Sequence, residues 1–239
     1  MSYLVTGGTG LVGSRIVRDL VREGHQVIVY DWQPAITFLE RVLNDQEIKS
    51  MVKIVQGDIT DLPHLIRTIT KHRVERIIHL AGLLTLESNA NPPLALKVNC
   101  EGTICVFEAA RILGLKKVVW SSSNSVFGPP EKYPQKFIPN DAMHSPQNIY
   151  AATKSFSEAA ANHYFDQHGV DITGIRYQTV YGVGQHRGIF GAVVRELVLN
   201  PALGKPGRVP YDDALIGWSY VDDPVRATLL ASKVHRTTT

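Results

Sequence analysis

A glycine-rich turn, Gly7-Gly8-Thr9-Gly10-Leu11-Val12-Gly13, lies between a short apolar run, Tyr3-Leu4-Val5, and a helical stretch, Ser14 to Val21. The run reads as a buried strand, so the turn joins strand to helix. A turn of this composition lets the backbone approach a pyrophosphate, and the helix N-terminus behind it offers free N–H groups and a partial positive charge. Gly7 permits the tight turn, Gly10 the close approach of a phosphate and Gly13 the close packing of helix on strand, with Thr9, Leu11 and Val12 in the same loop. Glycines also mark ordinary turns. The strand before, the helix after and an acid further along make this turn more specific and predict a dinucleotide site.

The rest of the chain alternates short apolar runs with longer helical patterns. Strands are expected at Tyr3-Val5, Gln26-Tyr30, Val52-Gln56, Arg76-Leu80, Lys117-Ser121 and Ile172-Arg176, with helices at Ser14-Glu23, Leu62-Lys71, Pro93-Leu113 and Ile149-His168. Right-handed crossovers close such a series into an α/β fold, a doubly wound parallel sheet covered on both faces, with ligands beyond the carboxyl ends of its strands. The segments 128–145 and 200–213, rich in proline, read as irregular surface chain.

Length and composition exclude several classes. The 239 residues are ample for a large core and fit one or two domains. Net charge is only +3 and Lys116-Lys117 is the longest basic pair, which argues against a nucleic-acid partner. The two cysteines, Cys100 and Cys105, read as small core residues in a reducing compartment. Nine histidines show no metal-ligand spacing, so no metal site is expected. No apolar stretch approaches a membrane span, and a first strand beginning almost at Met1 leaves no room for a signal peptide. A cytoplasmic location and no membrane partner are therefore expected.

Four strand ends carry chemistry. Asp31, 18 residues after Gly13, is placed to accept hydrogen bonds from both adenosine ribose hydroxyls. It would repel a 2′-phosphate and no arginine follows it, which favours NAD over NADP. Asp58-Ile59 follows the third strand, where Asp58 could bond the adenine amino group and Ile59 cover the ring; Asp61 competes for that role but equally suits a helix cap. After the fourth strand, Leu80-Ala81-Gly82 lets backbone pass close beneath the cofactor, and His79 reads as a core residue. The fifth strand ends in Ser121-Ser122-Ser123, and further on Tyr150 and Lys154 stand four apart on one helix face. A nearby ammonium and a positive nicotinamide would lower the phenol pKa, making Tyr150 an acid/base, while a serine hydroxyl stabilises charge on the reacting oxygen.

With these residues in place, the chain resembles the extended short-chain dehydrogenase/reductase family, in its NAD-dependent epimerase/dehydratase branch. The resemblance rests on residues 6–13, Asp31, 57–59, 79–82, 99–103, 121–128, 150–154, 176–182 and 220–223, which run in the family's order. It implies a Rossmann-type NAD-binding domain over 1–170, with strand 172–176 returning to the sheet, and a small substrate-binding lobe over 177–239. Ser123 would be the hydroxyl partner, Tyr150 the acid/base and Lys154 its activator. Asn99 would bridge cofactor loop and helix, Tyr177 would line the nicotinamide end, and Ser121 and residues 80–82 would contact the cofactor. Paired helices near 99–113 and 149–168 imply a homodimer.

The family's pattern is broken in three places. Thr179 stands where sugar-nucleotide relatives usually have Asn, and Ile216-Gly217-Trp218-Ser219 stands where they often carry Arg; both are polar anchors. The sequence also ends at Thr239, whereas relatives commonly continue, which fits either a small substrate lobe or a fragment. The expected function is NAD-dependent hydride transfer on a small-molecule substrate: a sugar, sugar nucleotide, sugar acid or hydroxy acid. Release of the oxidised product would make it a dehydrogenase, and return of the hydride an epimerase. A non-catalytic NAD sensor on the same fold is the competing reading. Arg187 could face an anionic substrate or simply be a solvated loop arginine.

Overall fold

The computed structural model describes residues 1–133, 138–184, 188–208 and 217–235. Arg187 and Ile216 lie outside the described residues. In chain order the elements are β1 (Ser2–Thr6), α1 (Leu11–Arg22), β2 (Gln26–Asp31), α2 (Thr37–Glu40), α3 (Asp45–Met51), β3 (Val52–Gln56), α4 (Leu62–Lys71), β4 (Arg76–His79), α5 (Thr85–Ala90) and α6 (Pro92–Ala95). A π turn over Leu96–Glu101 then leads into α7 (Gly102–Leu113), followed by β5 (Lys117–Ser123), α8 (Ile149–His168), β6 (Ile172–Tyr177), β7 (Thr179–Tyr181), α9 (Gly188–Val194), α10 (Asn200–Ala202), β8 (Trp218–Tyr220) and α11 (Asp222–Lys233).

Six strands form one parallel sheet in the order β3-β2-β1-β4-β5-β6. The order reverses between β1 and β4, the point at which such sheets open a crevice. Both faces are buried, which is why the strands are apolar almost throughout. Leu4, Ile28, Ile77, Val118 and Trp120 point to one side, against Leu65 and Ile69 of α4 and Val106 and Phe107 of α7. Tyr3, Val5, Val27, Val29 and Ile78 point to the other, against Ile16, Val17 and Leu20 of α1 and Val225 and Leu229 of α11. Each large apolar side chain withdrawn in this way contributes about 1.5–3 kcal/mol.

The expected helix over 93–113 is present, with a π turn over Leu96–Glu101 inside it. Asn91 leaves the helical region and its side chain caps α6 through the Leu94 amide at 3.2 Å, with Pro92 and Pro93 in the first turn. The π turn follows before regular helix resumes at Gly102. Residues 85–90 also form a helix, where none was expected. So do 188–202, whose last three residues fall in the 200–213 segment read from sequence as irregular. A separate two-stranded parallel sheet, β7-β8, lies beside them. Among the described residues no helix is long and apolar enough to cross a membrane.

Candidate active site

The glycine turn and the end of β4 meet at the crevice. Gly7 has φ +67°, and a Cβ there would come within 2.9 Å of the Ala81 amide. At Gly13 a Cβ would sit 2.3 Å from the Gly7 carbonyl oxygen, so α1 can approach the turn this closely only with glycine. Thr6 fixes the other wall: its Oγ1 accepts the Leu80 and Ala81 amides at 3.1 and 3.2 Å. Gly10 caps α1 with extended backbone and no side chain to satisfy the first amides, and no acid occupies the first turn. The N–H groups of Leu11, Val12 and Gly13 have no partner within the helix.

Asp31, at the tip of β2, accepts from the Thr9 hydroxyl at 2.6 Å and the Thr9 amide at 3.4 Å, both through Oδ2. Its Oδ1 is free of hydrogen bonds among the described residues and adjoins the turn. An uncapped helix N-terminus beside a half-used carboxylate fits a pyrophosphate joined to a ribose. Asp58 spends Oδ1 on the Thr60 amide and hydroxyl, both at 2.9 Å, which leaves its other oxygen for a base. Asp61 instead caps α4 through the His64 amide at 2.9 Å. Ile59 is buried in the core and presses on Gly102, so little of its side chain is left to cover a ring.

Ser123, Tyr150 and Lys154 converge at the end of β5. Asn148 caps α8 through the Ala151 amide at 2.9 Å and so sets Tyr150 in the first turn. The Ser123 hydroxyl lies close enough to the Tyr150 phenol to favour its ionised form. Ser123 Oγ also accepts from the Ser125 amide (3.2 Å) and hydroxyl (2.9 Å), which leaves its own proton to point into the site. One turn after Tyr150, Lys154 is buried and donates to the Ser121 carbonyl at 2.7 Å, with Nζ 5.6 Å from the centroid of the Tyr150 ring. Burial lowers Lys154 to about 8.

The expectation that Lys154 depresses the Tyr150 pKa is corrected. Burial raises the phenol above its ordinary value, and the Ser123 hydroxyl opposes that only in part. Withdrawal of the phenol from water dominates.

Asn99 lies on the π turn, buried, and bridges two elements. Its Oδ1 accepts the Leu83 amide at 2.8 Å, while Nδ2 donates to the Leu83 carbonyl at 3.1 Å and to Thr153 of α8 at 3.2 Å. Tyr177 pairs with Ser123 in the sheet register, but its hydroxyl meets Thr228 of α11 at 2.6 Å; burial raises it to about 12. His79 is a core residue held between Thr6 and Thr103.

A polar cluster beside the site was not anticipated from sequence. Glu158, one turn past Lys154, accepts from Ser122 at 2.5 Å and from Arg176 at 2.9 and 2.7 Å. Burial alone would raise Glu158, yet Arg176 and Ser122 hold it below the usual carboxylate range. The spacing Tyr150, Lys154, Glu158 was the available signal, since residues four apart share a helix face.

Residues 3–238 match the sequence profile of the NAD dependent epimerase/dehydratase family. The chain belongs to the NAD-dependent epimerase/dehydratase family. It is 28% identical to UDP-glucuronate 4-epimerase 4 of Arabidopsis thaliana over 239 residues, covering 97% of this chain and 54% of that protein. The UDP-glucose 4-epimerase of Thermus thermophilus, solved in complex with NAD, superposes with a TM-score of 0.81 at 27% identity, covering 97% of this chain and 74% of the other. The L-threonine dehydrogenase of Phytophthora infestans superposes equally well, at 0.81 and 29% identity over 96% of this chain and 71% of the other. The chain spans about half the length of curated relatives it matches, UDP-glucuronate and UDP-glucose 4-epimerases among them. NAD is the family's cofactor, and the residues at the crevice fit it.

Proposed function

We propose that this chain carries the cofactor-binding and reacting centre of an NAD-dependent oxidoreductase acting on a secondary hydroxyl. The substrate class is a sugar, sugar nucleotide, sugar acid or hydroxy acid. The carrying observation is the assembly of Ser123, Tyr150 and Lys154 around one point at the end of β5. Asp31 and the amides of Leu11, Val12 and Gly13 would hold the adenosine ribose and pyrophosphate of NAD, with Asp58 at the adenine. Gly7, Thr9, Gly10, Ile59, Leu80, Ala81, Gly82, Asn99, Ser121 and Tyr177 shape the surrounding walls.

NAD, when bound oxidised, supplies a hydride acceptor and a positive charge. In oxidation Tyr150 takes the hydroxyl proton, and in reduction it returns one to the same oxygen. Ser123, with its own oxygen already accepting from Ser125, donates to the reacting oxygen and stabilises its developing charge. Lys154, fixed by the Ser121 carbonyl, holds a cation beneath the phenol. In this state burial keeps the Tyr150 phenol protonated at neutral pH, so a further positive charge at the site is what makes it a base.

Residues 1–170 with β6 form the NAD domain in this reading, and 177–239 contribute to the substrate lobe. A cytoplasmic homodimer is part of the same reading. Leu96 on the π turn, Ile112 on α7 and Phe156 on α8 are each about half exposed, which suits a helix-to-helix pairing face.

The test is Tyr150→Phe, assayed for NADH formation and for epimerisation on UDP-glucose, UDP-glucuronate and L-threonine. Turnover is expected to fall about 10²–10⁴-fold while NAD binding persists. Undiminished turnover with bound NAD would rule out Tyr150 as the acid/base. Wild-type protein that binds NAD yet turns over nothing in the panel would favour the sensor reading.

A further inference from the structure

Among the described residues Arg15 is the arginine most withdrawn from water, at 7% exposure. It stands one turn after Leu11 on α1. Its Nη1 donates to the Leu11 carbonyl at 2.9 Å, and its Nη2 donates to the Val183 carbonyl, also at 2.9 Å. No carboxylate hydrogen-bonds it among the described residues. Burial works against its charge, and Asp222 at the start of α11 is the strongest influence the other way.

The two carbonyls belong to different parts of the molecule. Leu11 is the first residue of α1, and its amide has no partner within the helix. Val183 follows β7, in the chain leading to α9. The turn at 182–184 is gripped from several sides: a Cβ on Gly184 would lie 2.3 Å from the Phe38 ring of α2, and one on Gly182 would lie 2.6 Å from Val221. The Val221 amide in turn donates to the Tyr181 carbonyl at 2.8 Å. Arg15 joins this turn to the Leu11 peptide unit at the start of α1.

We propose that Arg15 is a positioning residue that couples occupancy of the Leu11–Gly13 amides to the placement of the 179–184 segment, and through it the substrate lobe. This rests on the proposed function above. An anion docked on the amides fixes the first turn of α1, and Leu11 presents its carbonyl from that same turn. The rigid guanidinium fork then holds Val183 at a set distance from it. A purely structural staple would hold Val183 equally with and without the cofactor. A coupling residue holds it more firmly when the amides are occupied.

The experiment is hydrogen–deuterium exchange of peptides covering 179–184, with and without saturating NAD, in wild type, Arg15→Met and Arg15→Lys. NAD binding is measured separately by calorimetry. NAD is expected to slow exchange in the wild-type segment by roughly fivefold or more, the lower end of ordinary coupling between sites. Both variants are expected to bind NAD but to lose that response, falling below about twofold on the same scale. Arg15→Lys keeps the charge and apolar stem, so it serves as the reading if Arg15→Met fails to fold. NAD binding without protection of 179–184 in wild type overturns the coupling alone. Retention of the NAD response in a folded variant does the same. Wild-type protein that binds no NAD overturns both this inference and the cofactor reading beneath it.

Discussion

At the scale of single residues, burial sets the protonation of the groups around the crevice. His79 is fully withdrawn from water between Thr6 Oγ1 (2.7 Å) and Thr103 Oγ1 (3.1 Å), and burial, helped by the Lys154 charge, pushes it down to about 3. Unfolded histidine titrates near 6.5, so between those values the unfolded chain binds the extra proton and the folded one does not. The stability due to neutral His79 is complete above pH ~6.5 and is lost as pH falls toward 3. His79→Gln, which offers hydrogen bonds without titrating, should flatten the acid limb of stability measured by urea denaturation. The difference between variant and wild type should change by up to about 3 kcal/mol between pH 7 and 4, at about 1.4 kcal/mol per pH unit. Parallel loss of stability in both proteins would show that another group controls the acid limb. The sequence identified His79 as a core residue because it ends an apolar strand. It gave no sign that Tyr150 would be raised, because desolvation depends on what covers a group and not on its neighbours in sequence.

Among the elements, the glycine turn was the most legible, and the π turn inside the helix over 93–113 the least. Gly7, Gly10 and Gly13 are constrained by local geometry, and local geometry is written in local sequence. The Pro92–Leu113 region depends on Asn99 finding Leu83 and Thr153, contacts from outside the helix that no periodicity encodes. α3 was legible but was not expected, although Asn44 and Glu47 form a reciprocal capping box spelled out in four residues. The glycine turn also gives a discriminating pair of substitutions. Gly13→Ala places a methyl 2.3 Å from the Gly7 oxygen and 2.7 Å from the Gly8 Cα, so α1 must move off the turn. A loss of about 1–3 kcal/mol in stability and a fall of about tenfold or more in NAD affinity are expected. Gly24→Ala, at φ +80° with no atom within 4 Å, should cost stability without touching NAD affinity. Equal NAD affinities in the two variants, by calorimetry, would contradict the role given to Gly13.

At the scale of the whole molecule, alternation of apolar runs with helical patterns was enough to give a parallel sheet covered on both faces. It did not give the strand order, because every parallel strand reads alike when both faces are buried. The proposed pairing face is tested at this scale. Wild type should sediment as a dimer, and Ile112→Glu or Phe156→Glu, each placing charge on a half-exposed apolar position, should shift it to monomer with little change in melting temperature. A wild-type monomer at micromolar concentration would remove the homodimer from the reading. The position of β1 in the middle of the sheet has a consequence for synthesis. β1 is made first and pairs with β2 early, but its other edge waits for β4, 73 residues later by the Val5↔Ile78 and Thr6↔His79 registers. Until Arg76–His79 leaves the ribosome, Tyr3, Leu4 and Val5 present an unpaired apolar edge. During that interval the unpaired edge leaves the growing chain open to aggregation.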